Sequence, residues 1–354
     1  MKKALCLIIA LTICLAAASC SLKSPLEVQN ASVNGGLIAH FIDVGQGDSI
    51  LLESGGEFVL IDAGEPDCGQ KVVNYINSRG ADTLKYVIAT HPHSDHSGGI
   101  GTVLNAIAAE NFITSDTDCD TPVWTKLLKT VDSLGINYID AGVGDTYSFG
   151  SSSFTIMGPV SNEYEDLNEY SVVVRATCGD ISYLLTGDAE RINEYEMLDN
   201  GEDVGADLLK CGHHGSSSST STRFLQAVNP AFAVVTCAKD NEFGHPHKDT
   251  LQRLGLLGCP CYSTADHGTV IASTDGKTLT VSSADGSIDN ASYTAGEPKN
   301  RDSELLFVGD KSSMYFHDPI CSGVKSVDPD NRAEFASRED AANDGYTPCP
   351  DCTP

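Results

Sequence analysis

His91-Pro92-His93-Ser94-Asp95-His96 puts four metal-binding side chains into six residues. The apolar run Leu84–Ala89 before it reads as a buried strand, and Ser97-Gly98-Gly99 after it as a turn that opens a helix. Alternate side chains at a strand end point the same way, so His91 and His93 can share one cation. Asp95 and His96, on the turn beyond, can reach a second one. Imidazole together with carboxylate suits Zn²⁺, Fe²⁺ or Mn²⁺. Two such ions about 3.5–4 Å apart make a hydrolytic centre that activates water and clamps a phosphate. The bland alternative is a polar loop that happens to be rich in histidine.

The elements around this stretch show how such a site would be assembled. Short polar motifs follow apolar strands repeatedly: Ile61-Asp62-Ala63-Gly64, the His91–His96 stretch, Gly187-Asp188 and Gly212-His213-His214-Gly215. Gly244-His245-Pro246-His247 comes a short loop after the apolar run 231–236. Carboxyl ends of neighbouring strands gather on one edge of a sheet, where α/β proteins bind ligands. Strands are expected over 37–44, 49–53, 58–61, 84–89, 154–157, 171–177, 182–186, 208–211 and 231–236. Helices are expected over 72–79, 124–134, 193–198 and 223–228. Their alternation predicts a layered α/β domain over residues 36–283. The polar stretch 284–304 reads as a linker, and 305–354 as a second, compact module.

Charge and cysteine usage narrow the function. The 22 basic and 49 acidic residues give a net charge of −27, which favours solubility and argues against a broad basic nucleic-acid groove. Lys2 and Lys3, followed by the apolar run Ala4–Ala18, form a secretory signal over residues 1–19 that is too short for a standard membrane span. Ala17-Ala18-Ser19-Cys20 resembles a bacterial lipobox, so a lipid anchor at Cys20 and a polar tether over 20–35 are expected. Plain secretion is the alternative. Of the 13 cysteines, those outside the signal, the anchor and the tail leave an odd remainder, which gives little support to a disulfide framework.

Six segments together resemble the metallo-β-lactamase fold hydrolases, and among them the ComEC-like hydrolase domains of DNA uptake. They are Phe41–Ser49 (FIDVGQGDS), Leu60–Gly64 (LIDAG), Thr90–Gly99 (THPHSDHSGG), Leu184–Glu190 (LLTGDAE), Lys210–Ser216 (KCGHHGS) and Phe243–His247 (FGHPH). The resemblance implies an αββα sandwich with two divalent metal ions, Zn²⁺ or Mn²⁺, between the sheets. It implies His91 and His93 on one metal, Asp95 and His96 on the other, Asp188 bridging both, and Asp62 orienting a ligand. It further suggests His213 as proton donor with His245 as the last ligand of the second metal, or the reverse, and His214 in support. Many relatives carry a third His for the first metal ahead of the strand before the bridging Asp. Here that region reads Asp166-Leu167-Asn168-Glu169-Tyr170-Ser171, which favours a weaker site or a harder ion. Ser216–Thr222 reads as a cap with a flexible loop, or as a phosphate-holding run.

In the tail, His317-x3-Cys321 and Cys349-x2-Cys352 fit a closed tetrahedral zinc site, with a disulfide as the alternative. The stretch Tyr346–Cys352 resembles the zinc-binding module of the Ada DNA-repair protein, with His317 in place of one cysteine. Ser337 is expected to start a helix and Gly345 to stop it. The sum predicts a monomeric, secreted or lipid-anchored phosphodiesterase acting on DNA. The alternatives are a hydrolase of small or cell-wall phosphodiesters and a non-catalytic surface binding protein.

Overall fold

The computed structural model describes residues 35–299 and 305–352. The signal, Cys20, nearly all of the tether and residues 300–304 lie outside these. Two large sheets face each other. One has nine strands in the order 291–294, 278–283, 270–274, 37–41, 50–54, 57–61, 83–88, 108–114, 137–140. The other has seven, in the order 261–263, 232–235, 208–210, 181–185, 173–178, 152–158, 146–149.

Alternation along the strands explains the layering. Leu37, Ala39, Phe41, Leu52, Val59, Ile61 and Ile88 of the first sheet pack against Phe154, Ile156, Val174, Tyr183 and Val234 of the second. Leu51, Leu60, Leu84 and Val87 point the other way, onto helices Gly69–Ser78, Ile100–Ala106 and Pro122–Leu134. The second sheet likewise backs onto Arg191–Asp199, Thr222–Val228 and Lys248–Leu257. The result is the expected αββα sandwich. Each fully buried Leu, Ile or Phe contributes roughly 1.5–3 kcal/mol to it. Helix Pro122–Leu134 shows the local logic: Thr121 caps the Trp124 amide, Pro122 fits the first turn, Gly135 ends it at φ 67°, and Trp124, Leu127 and Val131 face the core.

Strands 57–61, 83–88 and 108–114 run parallel, as do 181–185, 208–210 and 232–235. Their carboxyl ends carry the polar motifs to one edge of the sandwich. The stretch expected as a linker departs from expectation. Ala291–Thr294 pairs antiparallel with 278–281, and Ala291, Tyr293 and Ala295 pack on the inter-sheet core, so the sheet continues beyond residue 283. The run 216–222 also departs. Ser219–Thr222 are buried, the Thr220 and Ser221 amides donate to Glu194, and Ser219 donates to the Ala189 carbonyl. This run is a fastened cap and neither a loose loop nor an open anion site.

The tail forms a four-stranded sheet around Phe307, Phe316, Phe335 and Tyr346. Ser337 caps the helix Arg338–Asn343 and Gly345 follows it, as expected. Asp318 accepts a 2.6 Å hydrogen bond from the Thr222 hydroxyl, and Gln226 donates to the carbonyls of Leu305 and Ala336. Among the described residues no helix is long and apolar enough to cross a membrane.

Candidate metal centre

The strand ends bring the expected side chains together. His91, His96 and Asp188 have ligand atoms within 4.8 Å of one another, as do Asp95, His96 and His214. His93 Nδ1 lies 3.0 Å from His91 Nε2. His96 Nε2 is 3.2 Å from Asp188 Oδ1, and His214 Nε2 is 3.3 Å from Asp188 Oδ2 and 3.2 Å from Asp95 Oδ2. Asp188 thus faces both groups, as a bridging carboxylate must. His214 takes the place by Asp95 and His96 where His213 or His245 was expected. His213 stands farther out, with Nε2 3.8 Å from Asp188 Oδ2, and the His245 ring centroid is 5.4 Å from that of His213.

A supporting layer fixes each ring. Asp62 accepts from His96 Nδ1 at 2.8 Å and from the Thr90 amide and hydroxyl. Asp62 thus holds the His96 ring so that Nε2 points toward Asp188. The Thr236 carbonyl accepts a hydrogen bond from His214 Nδ1 at 2.8 Å. The hydroxyls of Thr90 and Ser171 lie 3.0 and 3.3 Å from His91 Nδ1, and Ser171 also accepts from the Asp188 amide. Glu190 accepts from His213 Nδ1 at 2.8 Å. Backbone strain gathers here too: Asp62, His213 and His214 have φ of 57°, 46° and 53°, a left-handed conformation costly for residues with a Cβ.

These residues fit divalent cations. With Nδ1 protons committed to Asp62 and to the Thr236 carbonyl, the Nε2 lone pairs of His96 and His214 face each other 3.3 Å apart, beside carboxylates. Asp188 Oδ1 is buried and, among the described residues, accepts no hydrogen bond. Such a concentration of lone pairs needs positive charge between its members. Burial alone would lower the pKa of both His96 and His214, but Asp188 and the neighbouring carboxylates outweigh it and hold both well above the usual imidazole range. His245 goes the other way: burial, then the charges of His214 and His213, lower it to about 4.

Sequence reasoning missed a buried ion pair behind the centre. Lys210 Nζ lies 2.8 Å from Asp48 Oδ2, donates to the Gly187 carbonyl, and is 3.8 Å from Asp188 Oδ1. Burial would raise the Asp48 carboxyl, yet Lys210, His214 and His96 hold it below the usual range. The available signal was a lysine inside the apolar run 208–211. A Cβ at Gly47 would overlap the Asp95 carbonyl, and that carbonyl accepts from the Asp48 amide, so the Gly-Gln-Gly-Asp turn buttresses Asp95. In the region lacking the third His, Asn168 Oδ1 is buried without a hydrogen-bond partner among the described residues.

The tail gathers a second donor set: His317, Cys321, Cys349 and Cys352 lie within 4.8 Å of one another. Cys321, Cys349 and Cys352 form no disulfide. Cys321 and Cys352 sulfurs accept from the amides of Gly323 and Asp318, and His317 Nδ1 is buried without a hydrogen-bond partner among the described residues. Backbone amides aimed at sulfur suit thiolates around a cation.

Residues 42–238 match the model of the metallo-beta-lactamase superfamily. ComE operon protein 3 of Bacillus subtilis is 29% identical over 247 residues, covering 65% of this chain and 32% of its own length. Recombination protein 2 of Haemophilus influenzae is 29% identical over 65% of this chain and 28% of its own, and competence protein ComA of Neisseria gonorrhoeae 26% over 61% and 29%. The chain spans about a third of the length of these curated relatives. YhfI of Bacillus subtilis, a solved metallo-beta-lactamase fold protein, aligns at 14% identity and a TM-score of 0.47 over 67% of this chain and 100% of its own. The matched segment contains the strand ends that bear His91, His96, Asp188 and His214, and by that match the chain belongs to the metallo-beta-lactamase superfamily, with competence-related proteins among its relatives.

Proposed function

We propose that this protein is a metal-dependent phosphodiesterase acting outside the cytoplasm, and that its substrate is DNA. One observation carries the chemistry: the Nε2 atoms of His96 and His214 and the carboxylates of Asp95 and Asp188 converge on a single point. His91 and His93 would hold one cation, Asp95, His96 and His214 the other, and Asp188 both. Cations held there would supply activation of water and offset charge on phosphoryl oxygens. Asp62 keeps His96 in the tautomer that presents Nε2, and the Thr236 carbonyl does the same for His214. His213 is the group placed to give a proton to the leaving oxygen. Its Nδ1 is anchored on Glu190, whose carboxyl that hydrogen bond, ahead of burial, holds below the usual range. Its Nε2 faces the centre. Relatives named for competence and recombination support DNA as the substrate. The N-terminal signal pattern and Cys20 support export and a lipid anchor, and the tail donor set supports one structural zinc.

The net charge of −27 favours a second reading, a small or cell-wall phosphodiester with no long polyanion to repel. Purified protein supplied with Mn²⁺ or Zn²⁺ should cleave single-stranded DNA. Cleavage of bis-nitrophenyl phosphate alone would move the assignment to the small ester. Fewer than one metal per hydrolase domain after reconstitution would support a non-catalytic binding protein.

A further inference from the structure

We infer that Phe243 is a stacking platform for a nucleobase beside the scissile phosphodiester, so that the site selects a base-bearing chain over a bare phosphodiester. This rests on the phosphodiesterase reading and names the substrate feature it recognises. Phe243 is 57% exposed, the most exposed of the described large apolar side chains. It lies nearly parallel to the His245 ring, at 22° and 5.7 Å between centroids. The His245 ring is in turn 5.4 Å from His213 and 6.1 Å from His214. The aromatic rings thus step outward from the metal centre, and the last has a face open to solvent.

The loop presenting this ring is fastened. The Asn241 side chain accepts from the His245 amide and donates to the carbonyls of Ala238 and His245. His247 Nε2 donates to the Phe243 carbonyl at 3.1 Å, and its Nδ1 accepts from the Ser217 amide. A phenyl ring held in place and left open at a phosphodiester site offers a π-face to any base, since every base stacks. A chain of net charge −27 has no long-range attraction for a polyanion, so contacts that do not depend on charge must supply the affinity. The competing role for Phe243 is a simple lid that keeps water off His245.

The test uses the full, metal-loaded chain with phosphorothioate-linked strands, which resist cleavage. Fluorescence anisotropy compares a single-stranded DNA oligonucleotide with an abasic chain of equal length. Wild type should bind the base-bearing chain more tightly. Phe243→Ala and Phe243→Leu should each weaken that binding about tenfold and leave the abasic chain unaffected, while Phe243→Trp should restore it. Leu keeps the apolar cover and lacks the flat ring, so a Leu variant that binds like wild type makes Phe243 a lid and overturns the proposal. Equal affinity for the two chains, or no binding of either, overturns it as well. With Mn²⁺ present, Phe243→Ala should raise KM for the ordinary phosphodiester-linked oligonucleotide and leave kcat unchanged. Base-dependent binding without turnover of any ester would defeat the phosphodiesterase reading and leave the stacking intact.

Discussion

The two donor clusters of this chain are built on opposite principles. The hydrolase centre uses imidazoles and carboxylates delivered by loops from both sheets, and His93, Asp95 and His213 at its rim remain partly exposed. The tail cluster uses three sulfurs and one imidazole, and three of its four members are buried. An open O/N site with a bridging carboxylate leaves room for water and substrate, whereas a closed S₃N set leaves none. On the proposed reading, the chain would separate a metal for chemistry from a metal for folding. That division predicts that each site can be lost while the other survives.

The sharpest break should come from Asp188→Ala. It removes the one carboxylate shared by both halves of the centre, so hydrolysis should fall by about a thousandfold or more. The tail metal should stay bound at one equivalent. Mass-spectrometric metal counting alongside turnover checks both halves, and a variant that still cleaves at the wild-type rate would dissolve the centre as described.

Cys349→Ser addresses the other side. A structural zinc supplies folding energy outright, so its loss should leave residues 305–352 open to proteolysis. Turnover should change by no more than a few-fold, because no tail donor reaches the hydrolase centre. Limited proteolysis and rate measurements on one preparation read both. A graded chelator series should draw the same line, removing activity before the last equivalent of metal, and Mn²⁺ should restore the activity.

Asp62→Ala should act more weakly. His96 would keep its place but lose the carboxylate that fixes its tautomer, and partners of this kind are worth about 10–100-fold in metal affinity. A titration of metal binding in the metal-free variant checks this, and the tail site serves as the internal reference.

Much of the candidate centre could be read from sequence because its donor side chains sit at strand ends with fixed spacing. His91, His93, Asp95, His96 and Asp188 fall where the strand–turn reading puts them. The choice among His213, His214 and His245 could not be read. His213 and His214 are neighbours in sequence, and two successive left-handed residues decide which ring turns inward. Glu190 and Thr236 were invisible for a related reason, since their roles exist only once strands 181–185 and 232–235 flank 208–210. Lys210 was visible as an anomaly, a charge inside an apolar strand, but its partner Asp48 lies in a turn 162 residues earlier. Strand 291–294 failed for want of pattern: Ala-Ser-Tyr-Thr carries a single large side chain, and pairing with the neighbouring strand, rather than its own composition, makes it a strand. The clustering of His317, Cys321, Cys349 and Cys352 was legible from spacing, because two short-range donor pairs need few long-range contacts to meet.

The smallest predicted effect concerns the seam between the two regions. Asp318 follows the tail ligand His317, and Thr222 opens the helix just after the histidine loop 213–215. Their hydroxyl–carboxylate bond is buried, with Arg253 Nε a further 3.8 Å from the same oxygen. Thr222→Val keeps the shape and removes the donor, leaving a buried carboxylate with one partner fewer at a cost of about 1–3 kcal/mol. Metal content at both sites should stay unchanged, since neither donor set is touched. The melting temperature should fall by a few degrees. A loss of tail zinc in this variant would mean that the tail site depends on its contact with the hydrolase domain, and the two clusters would then have to be counted as one cooperative unit.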